Sequence, residues 1–242
     1  MQSPSSLHRD DRQLEQRERK FLPDASAARS FWRIAATHLR PEHGPGAVSY
    51  ARTTYFDTPD LAYYRSCGGP VLRRVRVREY AIAPDPEGPP RRLEHCYLEL
   101  KQSNASMRSK VRLRLQHAEV ARELATITDA SLAPCVTTWY RRRALVGDDG
   151  LRITLDDLVL LCRPLPLGSP LLPLAPDHVI THGPALVLEC KSAGAPPPWL
   201  VDALAPMREE LGFSKFVLGM HAVMTSSFTS TSRTTEPLAA AR

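Results

Sequence analysis

The chain has 242 residues, with 32 lysines and arginines against 26 acidic residues, which gives a formal net charge of +6. This length suits one large domain or two small ones, and 43% hydrophobic with 24% charged residues is typical of a globular protein. No run of about 18 apolar residues is present, which excludes a transmembrane helix. The basic balance indicates an anionic partner without identifying it.

The two ends of the chain are low in apolar content, so we predict disordered tails at 1–13 and 223–242 around one domain at 14–222. The N-terminal segment lacks the apolar stretch of a secretory signal. The cysteines form no closely spaced pair, and those in apolar strand-like runs are predicted to be buried free thiols. Both observations favour the cytoplasm. The cysteines are Cys67, Cys96, Cys135, Cys162 and Cys190.

Apolar residues alternate with charged ones at period two along several segments, which predicts β-strands. These segments are 14–22, 71–82, 94–102, 108–116, 136–145, 151–161, 185–192 and 215–222, with a further strand at 48–57. Helical spacing predicts a helix at 25–39 with Asp24 as its N-cap, a helical turn at 61–66 and a helix at 118–127. A last helix should begin after the prolines at 196–198 and end at Leu211, with Gly212 as its C-cap and a kink or early break at Pro206.

Prolines collect in the loops at 83–92 and 163–176, to which no motif assigns a role. Many antiparallel strands joined by such loops predict an α+β protein in which one closed or nearly closed β-structure is packed by a few helices. No internal repeat or domain boundary interrupts 14–222.

Charged side chains recur at positions i and i+2 of the predicted strands, so they share one face of each strand. For a single strand this pattern is typical of a half-buried strand whose charges face water. Six such strands in one chain favour charged faces that line the inside of a wide barrel. The sets are Glu18 and Lys20; Arg74, Arg76 and Arg78; Glu99 and Lys101; Lys110, Arg112 and Arg114; Arg152, Thr154 and Asp156; and Glu189 and Lys191.

Such a barrel would enclose a basic tunnel, whose like charges repel strongly unless an anion occupies it. Phosphate chains suit this tunnel, because guanidinium groups bind phosphate oxygens bidentately and ammonium groups act as point charges. Interspersed carboxylates would hold the arginines in position and bind a divalent metal. All five lysines lie in the strand motifs or at 214–216: Lys20, Lys101, Lys110, Lys191 and Lys215.

Nine short motifs follow one another along the chain. They are ERK at 18–20, TTYFDTPDLAYYRS at 53–66, RVRVREY at 74–80, YLELK at 97–101, SKVRLRL at 109–115, YRRRA at 140–144, LRITLD at 151–156, LVLECK at 186–191 and SKF at 214–216. Their order and spacing resemble the polyphosphate-polymerase domain of the vacuolar transporter chaperone (VTC) family, within the triphosphate tunnel metalloenzyme (CYTH-like) superfamily. Each motif alone is weak, whereas nine in this order make the resemblance specific over about residues 14–222.

The resemblance implies an eight-stranded antiparallel β tunnel barrel with a few flanking helices, which moves the γ-phosphate of ATP onto a polyphosphate chain. It implies catalytic phosphate ligands at Lys20, Arg76, Arg78, Lys101, Arg142, Arg152 and Lys215. Further substrate-binding positions are Arg74, Arg112, Arg114, Tyr140, Lys191 and Ser214. Arg142 is chosen from the Arg141–Arg143 run by the Tyr-x-Arg spacing. For the divalent metal, Mn²⁺ or Mg²⁺, the resemblance implies Glu189, with Glu18 and Glu99 as weaker candidates because they can instead orient cations. Asp156 fits a tunnel carboxylate and a salt-bridge partner equally well.

We therefore predict a metal-dependent polyphosphate polymerase whose partners are ATP or another triphosphate and inorganic polyphosphate. The alternatives are a triphosphatase or polyphosphate hydrolase, since the same tunnel can present water, and a non-catalytic polyphosphate-binding module. Nucleic acid is disfavoured because the basic residues alternate within strands, with no aromatic stacking platforms between them. Eukaryotic members of the family join this domain to a phosphate-sensing module and membrane helices. Neither is recognisable in the sequence, so we expect action in the cytoplasm or with a separate membrane partner.

Overall fold

The computed structural model describes residues 17–104, 108–128, 131–171 and 176–231. Within these ranges, eleven strands form one antiparallel sheet with the order β1-β11-β9-β8-β3-β4-β6-β7, and the short strands β2, β5 and β10 pair with β8, β4 and β9. The strands are β1 (Arg17–Phe21), β2 (Arg40–Pro41), β3 (Val48–Asp57), β4 (Leu72–Ala83), β5 (Arg91–Arg92), β6 (His95–Ser103), β7 (Arg108–Gln116), β8 (Ala133–Val146), β9 (Arg152–Cys162), β10 (Val179–His182) and β11 (Leu186–Ser192). The eight long strands confirm the predicted antiparallel architecture.

In the part of the chain that the structure describes, five α-helices flank the sheet. They are α1 (Ala25–His38), α2 (Ala62–Arg65), α3 (Val120–Ile127), α4 (Pro198–Leu204) and α5 (Lys215–Thr231). The predicted N-cap of α1 is confirmed, because an oxygen of Asp24 accepts a hydrogen bond from the Ala27 N–H at 2.8 Å. The predicted early break at Pro206 is confirmed, because α4 ends at Leu204, and the prediction that this helix reaches Leu211 is wrong. None of the helices in the described part of the chain is both long and apolar enough to cross a lipid bilayer.

The predicted strand at 215–222 is wrong, since these residues open helix α5. Apolar residues in this segment alternate, but they also recur at helical spacing, and Phe216 and Met220 lie on one buried face against Tyr55 and Val136 of the sheet. The helix runs on to Thr231, so the boundary predicted after residue 222 falls inside it. The predicted tail at 1–13 and the part of the other tail beyond Thr231 lie outside the described residues.

The apolar strand faces pack on the outside of the sheet. Helices α1 and α4 cover one part through Phe31, Leu200 and Leu204, which contact the outer side chains of β9 and β11. Helices α2 and α3 cover the outer side of β4 and β6 through Tyr63 and Val120. The predicted buried thiols belong to these apolar faces: burial raises the pKa of Cys96 and Cys162 to about 11 and that of Cys190 to about 12.

The sheet curls until the two ends of its strand order face each other. Burial lowers the pKa of Lys110 on β7, and the positive charge of Lys191 on β11 lowers it further. The positive charge of Lys20 on β1 likewise contributes to lowering the pKa of Lys101 on β6. These strands are far apart in the strand order, so their charges meet only across a concave interior. Among the described residues β1 and β7 share no backbone ladder, so the tunnel-like sheet is open along this seam.

A buried ion network on the outer side fastens both proline-rich segments to the barrel. Arg52 on β3 and Glu79 on β4 are almost fully buried and form two hydrogen bonds of 2.7 and 2.9 Å. Arg92, at the end of the 83–92 segment, donates to the same carboxylate at 2.8 Å. The Gly168 N–H, from the 163–176 segment, donates to it at 3.0 Å. The two segments therefore have a structural role that no motif in the sequence indicated.

Candidate functional site

The strand register places the predicted charged residues on one face, which is the concave face of the curled sheet. On β4, β6 and β7, Arg76 is opposite Glu99 and Glu99 is opposite Arg112. On β1 and β11, Lys20 is opposite Glu189. The period-two prediction that these charges share a face is confirmed. The concave cations are Lys20, Arg74, Arg76, Arg78, Lys101, Lys110, Arg112, Arg114, Arg142, Arg152 and Lys191, with Lys215 from the start of α5.

The charges on this face are unevenly distributed. We call the concave side of β4, β6 and β7 the basic sector, and that of β1, β8, β9 and β11 with the start of α5 the paired sector. Among the described residues of the basic sector, Glu99 is the one concave carboxylate beside seven cations. In the paired sector, by contrast, each cation contacts a carboxylate within 4.0 Å.

Glu99 is the anchor of the basic sector. Arg76 donates to its carboxylate at 2.6 Å, and Arg112 Nε and Lys110 Nζ lie 3.3 and 3.9 Å from its other oxygen. Burial would raise the pKa of Glu99, but the charges of Arg76 and Arg78 outweigh it and hold this pKa far below its usual range. Glu99 is therefore ionised, and its carboxylate holds the side chain of Arg76 in position.

Other cations of the basic sector have no carboxylate partner among the described residues. Arg78 donates to the hydroxyls of Thr53 and Tyr80, at 3.2 and 3.4 Å. The Nε of Arg74 is buried without a hydrogen-bond acceptor, and its guanidinium lies 5.6 Å from the centre of the Phe216 ring. Uncompensated cations on a half-buried face provide donors for an anionic ligand.

Asp156 is the centre of the paired sector. It is fully buried, and its two oxygens accept hydrogen bonds from Arg142 at 2.5 and 2.8 Å. Lys215, at the first position of α5, donates to the same carboxylate at 2.6 Å. Burial would raise the pKa of Asp156, and the charges of Arg142 and Lys215 lower it. Of the two roles left open by the sequence, the structure gives Asp156 that of a salt-bridge partner on the tunnel face.

A four-charge cluster joins β1 to β11. Lys20 lies 2.8 Å from Glu18, and Lys191 lies 2.9 Å from Glu189 and 3.9 Å from Glu18. Burial would raise the pKa of Glu189, but Lys191, Arg142 and Lys20 hold it well below its usual value. Burial and the charge of Glu189 also act to raise the pKa of Glu18, and Lys191 and Lys20 outweigh them. The two carboxylates are thus near neighbours and both ionised.

Arg152 has a partner that sequence reasoning missed. Its guanidinium donates to both oxygens of Glu42, at 3.0 and 2.7 Å, across a sequence separation of 110 residues. Glu42 lies in the loop between β2 and β3, outside every period-two strand pattern, so no signal in the sequence identified it.

The two predicted supporting donors take different places. Tyr140 is buried beneath the cations, with its ring centre 5.1 Å from the Arg142 guanidinium and 4.7 Å from Lys215 Nζ. Ser214 precedes α5, and its hydroxyl accepts a hydrogen bond from the Val217 N–H at 3.4 Å. Ser214 therefore helps to begin the helix that brings Lys215 to the concave face.

The described residues contain no group of three or more His, Cys, Asp or Glu side chains placed to share a metal ion. A divalent cation bound to a phosphate chain needs only one or two protein carboxylates, because phosphate oxygens and water supply its other ligands. The neighbouring carboxylates of Glu18 and Glu189 fit this requirement. Glu99 fits it less well, since no second concave carboxylate lies beside it among the described residues of the basic sector.

Solved structures with some similarity to this chain come from several organisms. The PH1819 protein from Pyrococcus horikoshii OT3 is 11% identical with a TM-score of 0.48, covering 85% of this chain and 98% of its own. A putative adenylate cyclase from Vibrio parahaemolyticus is 10% identical with a TM-score of 0.48, covering 84% and 97%. The putative adenylyl cyclase HpAC1 from Hippeastrum, described as having a dominant triphosphatase activity, is 16% identical with a TM-score of 0.42, covering 84% and 94%. No curated protein matches the sequence.

A family model gives a direct match in sequence. The model of the VTC domain matches residues 116–224. This segment contains Arg142, Asp156, Glu189 and Lys215, and with them most of the paired sector. This match agrees with the resemblance that the ordered motifs indicated, and residues 116–224 of this chain are similar to the VTC domain.

Proposed function

We propose that this protein is a metal-dependent phosphotransferase that moves the γ-phosphate of ATP onto an inorganic polyphosphate chain held on the concave face. The observation that carries the proposal is the excess of cations over carboxylates on a half-buried face, above all in the basic sector. A strand face that is merely exposed to solvent does not require so many arginines beside so few acidic residues. A polyanion with oxygens along its whole length removes the repulsion between them.

Phosphoryl transfer requires positioning and charge neutralisation more than covalent chemistry. In this proposal Arg76, Arg78 and Lys101 bind phosphate oxygens from one side of the interior, while Arg142 and Lys215 bind them from the other. Because these groups are held in place before the substrate arrives, little reorganisation accompanies the reaction. Arg74, Arg112, Arg114, Lys20 and Lys191 extend the phosphate-binding surface.

A divalent metal, Mn²⁺ or Mg²⁺, would be held by Glu189 and Glu18 together with phosphate oxygens. When bound, it would supply additional positive charge to the phosphate being transferred. The side chains of Lys20 and Lys191 hold both carboxylates ionised and therefore ready to bind the cation.

Hydrolysis is a second candidate, and the Glu18–Glu189 pair favours it. Two ionised carboxylates beside a phosphate site can accept hydrogen bonds from a water molecule and orient it for attack. The same cations would then serve a triphosphatase or a polyphosphate hydrolase. In either case we expect the reaction to take place in the cytoplasm, with a separate membrane protein as the acceptor if the polymer is exported.

Incubation of the purified protein with ATP and Mn²⁺ or Mg²⁺ tests the proposal. Long polyphosphate on a gel supports transfer, and release of orthophosphate alone supports hydrolysis. If neither product forms, the protein only binds phosphate chains. Glu189→Gln should lower turnover by on the order of 100-fold. Glu209→Gln is a matched control, since Glu209 forms an ion pair of 2.8 Å with Arg19. This pair does not belong to the concave charges. Equal activity of the two variants would contradict the assignment of Glu189.

A further inference from the structure

One cation of the paired sector is held by a carboxylate from a loop. Arg152 on β9 donates to both oxygens of Glu42, at 3.0 and 2.7 Å. The backbone N–H of Glu42 donates to the Ala144 carbonyl at 3.0 Å, which fixes where its side chain begins. Glu42 is therefore placed by the backbone and reaches Arg152 with a two-oxygen contact.

This contact has the geometry by which arginine also binds phosphate. A guanidinium presents the same fork of two N–H groups to a carboxylate and to a phosphate. Burial would raise the pKa of Glu42, but the hydrogen bond and charge of Arg152 lower it, so the carboxylate is ionised. A phosphate group and the Glu42 carboxylate would therefore compete for the same N–H donors of Arg152.

The pair differs from the buried Asp156 contacts in its access to solvent. The side chains of Arg152 and Glu42 are 32% and 29% exposed, whereas Asp156 is fully buried. An ion pair at this exposure contributes little stability and exchanges readily with solvent. Glu42 can therefore leave Arg152 without opening the core.

The loop that carries Glu42 is suited to such a movement. Gly44 and Gly46 adopt φ values of +101° and +76°, and no atom lies within 4 Å of the position a Cβ would take at either one. The backbone here is thus bent by glycines and not packed against neighbours. Residues 43–47 can follow Glu42 without losing buried contacts.

We propose that Glu42 is an intramolecular competitor for phosphate: its carboxylate occupies the Arg152 guanidinium in the free protein and leaves when a phosphate group binds there. The inference rests on the proposed binding of phosphate chains to the concave face. It makes Glu42 a specificity-determining residue, because only an anion that binds the guanidinium better than a tethered carboxylate displaces it. Phosphate groups, with more charge and more acceptor oxygens than a carboxylate, meet this condition.

Calorimetric titration with inorganic tripolyphosphate, without nucleotide or metal, tests the inference in a double-mutant cycle. Glu42→Gln should tighten binding about three- to fivefold, because Arg152 no longer has to be released. In the Arg152→Gln background the same change should alter affinity by less than about twofold. Asp157→Asn is the matched control, since Asp157 holds Arg141 in a similar fork at 2.8 and 2.8 Å, and it should leave affinity unchanged.

A readout independent of affinity completes the test. Tripolyphosphate should increase amide hydrogen exchange in residues 42–47 of the wild-type protein, and it should not do so in Arg152→Gln. If Glu42→Gln tightens binding equally in both backgrounds, or only as much as Asp157→Asn, the inference is overturned. If the wild-type protein does not bind tripolyphosphate at all, the proposed function fails and the inference fails with it.

Discussion

Replacing Asp156 by asparagine tests the central contact of the paired sector. Its carboxylate accepts two hydrogen bonds from Arg142 and one from Lys215, at 2.5, 2.8 and 2.6 Å, and is fully buried. The two cations are themselves only 7% and 11% exposed. The substitution keeps the size of the side chain and removes its charge, which leaves two positive groups together in a poorly solvated place.

The expected loss in the free energy of unfolding is about 3–5 kcal/mol, the range for breaking a buried ion pair from one side. The Coulomb attraction of Asp156 to Arg142 and to Lys215 would by itself exceed this range. At a separation of 4 Å and an effective dielectric constant near 20, each pair would contribute about 4 kcal/mol. The cost of removing three charges from water offsets much of it.

Urea unfolding of the wild-type protein, Asp156→Asn and Asp157→Asn measures this loss. Asp157 makes a similar fork with Arg141 on the outer face, where both side chains are partly exposed, so its loss should not exceed about 1 kcal/mol. If the two variants are equally destabilised, or if Asp156→Asn loses less than about 1 kcal/mol, the reasoning about the paired sector is refuted.

Ligand binding gives a second measurement on the same variant. Phosphate oxygens should take the place of the missing carboxylate beside Arg142 and Lys215. Tripolyphosphate should therefore raise the melting temperature of Asp156→Asn by more than that of the wild-type protein. Equal shifts would mean that phosphate does not reach these two cations.

Three further predictions concern stability. Glu79→Ala should lower the free energy of unfolding by about 3–5 kcal/mol, because it leaves the charge of the fully buried Arg52 without a carboxylate. Urea unfolding measures this loss, and the affinity for tripolyphosphate should not change. Gly219→Ala should cost about 1–3 kcal/mol by the same assay, since the new Cβ would lie 2.8 Å from a methyl group of the buried Val136; no loss would contradict the close packing of α5. Glu99 has a lowered pKa in the folded protein, so its contribution is fully present above its unfolded value of 4.5 and decreases as pH falls through the folded pKa. Acid titration of Glu99→Gln should accordingly show a weaker loss of stability below about pH 4 than the wild type.

The sequence predicted the sheet and its charged face because both follow from a period of two. Arg76, Glu99 and Arg112 stand in three separate motifs, and alternation alone was enough to place them on the same side of neighbouring strands. The same rule misled at 215–222, where Phe216 and Met220 are compatible with alternation and with helical spacing. Short apolar segments of this kind do not distinguish a strand from a buried helix.

The partners of the cations could not be predicted in the same way. Glu42 comes from a loop and meets Arg152 only through the folded chain. Arg52 and Glu79 lie on the otherwise apolar outer face, where a charge pattern gives no sign that two charges will be buried against each other. Contacts between residues far apart in sequence depend on the strand order, which local patterns do not specify.

The pairing of β1 with β11 has a consequence for how the protein is made. Arg17 is opposite Ser192, so the strand β1 cannot pair with β11 until the chain has been synthesised as far as Ser192. At typical synthesis rates this leaves β1 without its partner strand for roughly 10–30 s. The concave cations from β1 and β11 come together only after that interval, so a nascent chain lacks part of the proposed phosphate-binding surface. We therefore expect slow folding that is limited by this last long-range contact.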